Sequence, residues 1–566
     1  MSRETKTRLV ICWHMHQPQY QNQITGEYCQ PWVYLHGIKD YIEMANLLLR
    51  YPRVKLVINF SPILLEQIED YHLQIDDFFL SRNPVKDPLL DLLVRQIIPT
   101  DVESRNSIIE KCLRANEDRL IKRYQAYELL AEVGKKALNN PTLLTYLNDQ
   151  FFFDLLVWHH LAWFGETIKE KESLLRSLIE KSINFSLQDR LAILELIGKQ
   201  LAQIIPVYRS LWEKGQVEIS MNPYSHPIMP LMLDMKSGQE ALRDLPLPNK
   251  DYPGGEERVR WQLDKGIQVF ELFFGKRPFG CWPSEGGLSL PTLNILAESG
   301  FTWTASGENV LKNSLANENM KPECAHNAYW VDGANISCFF RDDNLSDLIG
   351  FTYSDWHADD AVNDLINHLN HIHQHCPSEH DRVVSIILDG ENCWEYYPNN
   401  GYYFLNALYE ALGNHPHLEL TTYSDIVSDL NAKDTGHHVL NTIVAGSWVY
   451  GTFATWIGDS GKNLAWELLC DAKEKFDQAI AEGRLDSQRR ALAEKQLAIC
   501  EASDWFWWFG DYNPAESVSD FDRLYRVHLR NLYEIMGCKP PDSLQEVISV
   551  GSGKPDSGGT MRRGSE

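Results

Sequence analysis

The sequence predicts an α/β fold built on a mainly parallel sheet with enough strands to close into a barrel. Three observations predict it: short β-branched or apolar runs recur along the chain, helix-like stretches separate most of them, and polar and aromatic residues cluster just after them. The runs are RLVICWH (8–14), VKLVINF (54–60), QVEISM (216–221), PFGCW (278–282), FTWTA (301–305), ISCFFR (336–341), VVSIILD (383–389) and LELTTY (418–423). In barrels the chemistry gathers where strands end, so WHMHQP, NPYSHP, PSEGG, RDDN and DGENCW would converge on one face.

Other stretches are helical by period. Residues 75–210 carry long patterns such as SIIEKCLRANEDRLIKRYQAYELLAEV, apolar at helical spacing, and read as a helical insertion within a barrel spanning 1–435. Residues 436–548 begin irregularly and become helical in KNLAWELLCDAKEKFDQAI and SQRRALAEKQLAICEASDWFWWF, which suggests a C-terminal helical domain packed on the barrel. The last stretch, 549–566, is rich in Gly, Ser and charge and is expected to be disordered, because it cannot bury enough apolar area to order itself.

Composition narrows the function. With 566 residues, 44% of them hydrophobic, the chain can bury two or three sizeable cores. A net charge of -25 works against nucleic-acid binding, since no basic stretch could neutralise many phosphates. The 17 Trp suit sugar rings, whose C–H faces are apolar while their hydroxyls need hydrogen bonds. Eleven Cys, an odd number without a C-x-x-C pair, read as reduced and mostly buried thiols. The N-terminal residues lack the apolar stretch of a secretory signal and no segment reads as a membrane span, so a cytoplasmic location is expected. The oligomeric state is not legible.

The chemistry rests on carboxylates. Asp389 and Glu391 end the apolar run VVSIILDG, and Glu285 lies in CWPSEGG. Acids delivered by separate strand ends suit glycosidic bond cleavage, in which one attacks or activates water and the other protonates the leaving oxygen. Burial and nearby negative charge would raise the Asp389 carboxyl, and Glu391 could supply part of that charge or pair with a base. Strand alternation would put Asp389 and Glu391 on one face if the extended backbone continued through Gly390. Gly286 and Gly287 would let a sugar approach closely.

Five motifs in order, WHMHQP (13–18), GQVEISMNPYSHPIMP (215–230), GCWPSEGG (280–287), ILDGENCWEYY (387–397) and TFATWIGDSGKNLAWELL (452–469), make the chain resemble glycoside hydrolase family 57. The second and fifth are most similar to the amylopullulanase and α-amylase branch. The resemblance implies an incomplete, seven-stranded (β/α) barrel and a retaining enzyme acting on α-glucans, with α-1,4 cleavage, with or without α-1,6 cleavage, as the branch preference. It implies Glu285 as nucleophile and Asp389 as general acid/base, with no metal and no cofactor. Sugar contacts are implied for His14, His16 and Gln17. His226 reads as a further contact or a turn-packing residue, and Glu218 as a motif carboxylate or a buried ion-pair partner. Trp282 and Trp394, flanking the acids, are stacking candidates, as is Trp507 in DWFWWFGDYN. Trp456, Asp459, Lys462 and Trp466 would close over substrate or simply start an amphipathic helix. Rival readings are a glucanotransferase or branching enzyme of the same family, a metal-dependent deacetylase or mannosidase-like hydrolase using His14, His16 and Asp342 or Asp343, and a non-catalytic glucan-binding protein. The loop SDWHADD (354–360) stays unassigned.

Overall fold

The computed structural model describes residues 6–317, 325–375, 382–433, 438–553 and 563. Ten strands form one sheet: β1 (Thr7–Met15), β2 (Leu56–Phe60), β3 (Val217–Met221), β4 (Gly280–Cys281), β5 (Trp303–Ser306), β6 (Tyr329–Val331), β7 (Ser337–Phe340), β8 (Val383–Asp389), β9 (Leu418–Leu420) and β10 (His438–Leu440). The order is β10-β6-β7-β5-β4-β3-β2-β1-β8, with β9 paired to the start of β1. Every pairing is parallel except β6 with β7. Arg341, just past β7, bridges Ser385 in β8, and Asp342 N–H donates to the Ser385 carbonyl at 2.8 Å. Seven strands therefore run around the ring, and a lone bridge joins its two ends. This is an incomplete (β/α) barrel with surrounding helices.

Each expected run holds a strand, because β-branched and aromatic residues fit a sheet buried on both faces. Two strands were not expected. β6 and β10 have three residues each, too few to show a period. β4 has only two residues, and its Gly280 lies against the Trp303 indole, where a Cβ would collide with the ring.

The period of two along each strand decides what faces the barrel axis. Val10 and Cys12 of β1, Val57 of β2 and Val383 and Ile387 of β8 fill the interior with Trp282, Trp303 and Phe339. The alternate residues Leu9, Ile11, Trp13, Leu56, Ile58, Ile386 and Leu388 join the larger core under the helices. The helix Tyr423–Lys433 plugs the interior with Tyr423, Ile426, Val427 and Leu430. Continuing the inward alternation to the strand ends brings His14, Asn59, Ser220 and Asp389 onto one face.

Between β2 and β3 the chain forms helices from Pro62 to Glu213. The last of these, Leu187–Glu213, is long and apolar enough to cross a membrane, a feature the sequence reading passed over. Its apolar face, including Ile193, Ile197, Leu201 and Ile204, is buried in the core. Beyond β10 come the helices Ser460–Ala481, Ser487–Cys500, Ser503–Trp508 and Ala515–Ile535. The expected disorder from 549 onward does not hold for its first residues. Ser549 Oγ accepts from Gly510 N–H at 2.9 Å, and Gly553 N–H donates to the Asn513 carbonyl at 3.0 Å. Residues 554–562 and 564–566 lie outside the described residues.

Candidate active site

The strand ends open into a cavity of about 520 Å³ lined by His14, His16, Gln17, His226, Glu285 and Asp389, together with Arg341, Trp448, Asp504 and Trp507. In β1 and β8, His14 pairs with Asp389 in register, so the third inward layer of the barrel is already functional in character. His14 Nδ1 is 2.8 Å from Asn59 Oδ1, and Asn59 Nδ2 donates to Ser220 Oγ at 2.9 Å, a polar chain across β1, β2 and β3. Glu285 leaves β4 in a single 3-10 turn at φ 58° and ψ 25°. A left-handed non-glycine backbone costs about 1–3 kcal/mol and is held only where surroundings fix it. Here the Glu285 carbonyl accepts from Trp448 N–H at 3.0 Å.

Two donors address the Glu285 carboxylate. Ser503 Oγ donates to Oε1 at 3.0 Å and Trp448 Nε1 to Oε2 at 3.1 Å. Asp389 takes one side-chain donor, Asn392 Nδ2 at 3.0 Å. Burial pushes Glu285 up to about 8, reinforced by the charges of Asp389 and then Asp504 and opposed by the Ser503 and Trp448 bonds. Burial also raises Asp389, against Asn392, His16 and Arg341. Acids coupled in this way titrate as a pair. The two donors on Glu285 favour the charge there and the proton on Asp389.

Three imidazoles stack beside the acids. His16 and His226 are 3.9 Å apart at 16°, and His14 lies 5.1 Å from His226 at 14°. Burial lowers His14 to about 3 and holds His226 far below its ordinary value, so both are neutral. His226 Nδ1 is 2.8 Å from Ser503 Oγ, which makes Ser503 a relay from His226 to Glu285. His226 Nε2 is buried without a partner among the described residues. His16 Nδ1 is 2.8 Å from Ser61 Oγ, and His16 Nε2 lies 3.0 Å from each oxygen of Asp504. Asp504 therefore fixes the His16 ring and, after Asp389, is the second acid acting on Glu285. Asp504→Asn is expected to lower the Glu285 carboxyl and move the acidic limb of kcat/KM to lower pH, as a pH–rate series would show; an unmoved limb counts against the coupling.

Several expected contacts lie elsewhere. Glu218 faces the barrel interior, where it accepts from Trp303 Nε1 at 2.6 Å and Ser424 N–H at 3.0 Å. It does not line the cavity, and it forms no ion pair among the described residues. Trp282 is fully buried, edge-on to Trp448 at 5.3 Å, and of these two indoles it is Trp448 that lines the cavity. Trp394 packs behind the Asp389 turn against Trp13, donating to the Gly390 carbonyl at 3.0 Å. Asp459 caps the helix Ser460–Ala481, accepting from Gly461 N–H at 2.8 Å. Lys462 binds the Thr455 carbonyl and Tyr512 hydroxyl, with its ammonium 4.8 Å from the Tyr512 ring. Trp466 stacks on Phe506 at 4.1 Å and donates to the Trp456 carbonyl, and both indoles are fully buried. The four fifth-motif residues thus build the wall behind Trp507 rather than the cavity surface. A Cβ on Gly286 would meet Trp282 and Trp448 at 3.0 and 3.3 Å, so that glycine serves packing.

Glu391 is 2% exposed, and burial first, then Asp389 and Asp40, holds its carboxyl well above the ordinary range. No basic side chain pairs with it among the described residues, so the ion-pair alternative does not hold. β8 ends at Asp389, so the alternation does not continue through Gly390. Asp342 pairs with His326 at 2.7 Å and Asp343 with Arg341 at 2.7 Å, so neither joins His14 and His16 as a metal ligand. Arg341 also holds Asp347 at 2.8 Å and sits 5.6 Å from the Trp448 ring. Arg341 belongs to RDDN, which was expected on this face without an assigned role, whereas Trp448, Ser503 and Asp504 were not singled out.

An incomplete parallel barrel with paired acids at its strand ends, walled by histidines and indoles, defines an enzyme of the glycoside hydrolase class. The chain belongs to glycosyl hydrolase family 57, whose model matches residues 10–443. Among solved structures it is similar to a branching enzyme of that family from Thermococcus kodakaraensis (16% identity, 94% of this chain and 90% of that one, TM-score 0.55). It is also similar to an α-amylase from Thermotoga maritima (14%, 95% and 96%, TM-score 0.56) and a 4-α-glucanotransferase from Thermococcus litoralis (14%, 95% and 61%, TM-score 0.51). At these identities the likeness speaks for the fold. Comparison with curated proteins gives no match.

Proposed function

We propose that the protein cleaves α-glucans, chiefly at α-1,4 linkages, by double displacement with retention. The observation that carries this reading is the coupled pair Glu285, on the turn after β4, and Asp389, at the end of β8, which line one cavity with aromatic walls. In the first step the Glu285 carboxylate bonds to the anomeric carbon while the Asp389 proton passes to the departing glycosidic oxygen. In the second, Asp389 takes a proton from water or a sugar hydroxyl, which displaces Glu285. Trp448 and Trp507 offer ring faces for stacking. Branching-enzyme and glucanotransferase likenesses stand beside the amylase likeness, and the balance rests on how the cavity admits water against a sugar acceptor. All nine described cysteines are unpaired and seven are buried, which supports a reducing, cytoplasmic location.

A second reading has one observation in its favour. Ligand-capable atoms of His16, His226 and Asp504 lie within 4.8 Å of one another, close enough to hold a metal ion. The two rings, however, stack 16° from parallel, so their in-plane lone pairs run side by side instead of converging on one ion. Incubation with maltoheptaose and amylose in the presence of a strong chelator separates the readings. Undiminished release of short sugars supports the proposed amylase; longer oligosaccharides from maltoheptaose mean transfer; activity lost to the chelator and restored by metal favours the metal reading.

A further inference from the structure

The two oxygens of Glu391 have unequal surroundings. Oε1 accepts from His16 N–H and from Gln17 Nε2, both at 3.3 Å, whereas Oε2 is buried with no partner among the described residues. The charged and titratable groups facing this carboxyl come from three segments. Asp389 and Cys393 flank it on its own turn, His16 and Tyr20 lie on the exit from β1, and Asp40 and Tyr41 lie on the helical turn Gly37–Tyr41. The cation on that turn is committed elsewhere, since Lys39 Nζ donates to Asp40 Oδ1 at 2.8 Å, and Asp40 Oδ2 meets His36 Nδ1 at 2.8 Å. No cationic side chain pairs with Glu391 among the described residues. An ionised carboxylate here would leave one oxygen stripped of donors while facing two further acids, a costly arrangement in a buried site.

We propose that Glu391 works as an uncharged carboxylic acid, a positioning residue that pins the His14–Gln17 strand exit to the Asp389 turn without placing a second charge beside Asp389. Its single used oxygen needs only to accept, which a neutral acid does as well as a carboxylate. Burial, then Asp389 and Asp40, pushes in the same direction. The kinetic consequence rests on the glycosidase reading, and the titration itself does not.

Glu391→Gln, a neutral side chain of the same shape, and Glu391→Ala test this on the full chain. Alanine, which frees the strand exit, is expected to lower kcat on the order of 10²-fold. Glutamine is expected to recover most of that loss and to leave the basic limb of kcat where it lies in the wild type. Were Glu391 ionised, glutamine would delete a negative charge beside Asp389, lower the Asp389 carboxyl and move the basic limb to lower pH, and that shift would overturn the proposal. Thermal melts supply the readout independent of turnover. The unfolded glutamate ionises near its ordinary value while the folded one stays protonated, so wild type should lose stability relative to Glu391→Gln as pH rises from about 5 to about 9. A constant difference across that range would overturn the proposal, even if no glucan proved to be a substrate.

Discussion

Replacing Glu285 with Gln is expected to cut kcat on α-glucans by on the order of 10⁴–10⁶-fold, because the group that bonds to the anomeric carbon is gone. Steady-state rates on maltoheptaose check it, and a loss below about tenfold would remove Glu285 from the reaction. The same substitution should make the protein more stable in neutral and alkaline solution. Wild-type Glu285 is raised to about 8 and titrates together with Asp389, so between roughly pH 4.5 and pH 8 the folded pair keeps a proton that the unfolded chain has released. Stability of the wild type therefore falls as pH rises through that window, and glutamine has no such slope. The difference is bounded at about 5 kcal/mol, and coupling to Asp389 takes some of it away. Thermal melts of both proteins across that window read the gap, which should open with rising pH. Lost stability at a site of this kind fits a general pattern in which reactive groups are held against their own preference.

Asp389→Asn is expected to lower kcat on the order of 10²–10⁴-fold, the usual worth of a general acid/base. The signature lies in the leaving group. An aryl glycoside whose phenolate departs without a proton should be cleaved in the first step far better by the variant than an α-1,4-linked glucan, since only the latter needs Asp389 as acid. Equal losses on both substrates would assign Asp389 a structural part instead. Asn392, three residues on and bonded to Asp389 at 3.0 Å, orients the carboxyl for this task.

Local sequence carried the strands and the two acids, while the histidine wall and the aromatic surfaces depended on long-range packing. Runs such as VVSIILD read as strands because alternation and β-branching are local properties, and alternation alone places Asp389 inward. Nothing local marks Asp504 as the partner of His16, 488 positions away, nor Ser503 as the link between His226 and Glu285. Indoles next to the acids in sequence proved less informative than expected. Trp282 and Trp394 sit on the far side of their turns in packed cores, while Trp448, 163 positions from Glu285, supplies the donor and the cavity wall. Lys462 shows the same limit, since a charged residue in a motif found backbone and phenol partners inside the C-terminal helices. A charge in sequence reports a need for partners, and only packing decides whether substrate is among them.

The central claim is double displacement through Glu285 with Asp389 as proton donor, and the anomeric configuration of the first products tests it most directly. Proton NMR during the first minutes of maltoheptaose cleavage should show new reducing ends in the α configuration, before mutarotation mixes the anomers. New ends appearing first as β would mean a single displacement, with Glu285 activating water rather than bonding to the sugar, and would contradict the account.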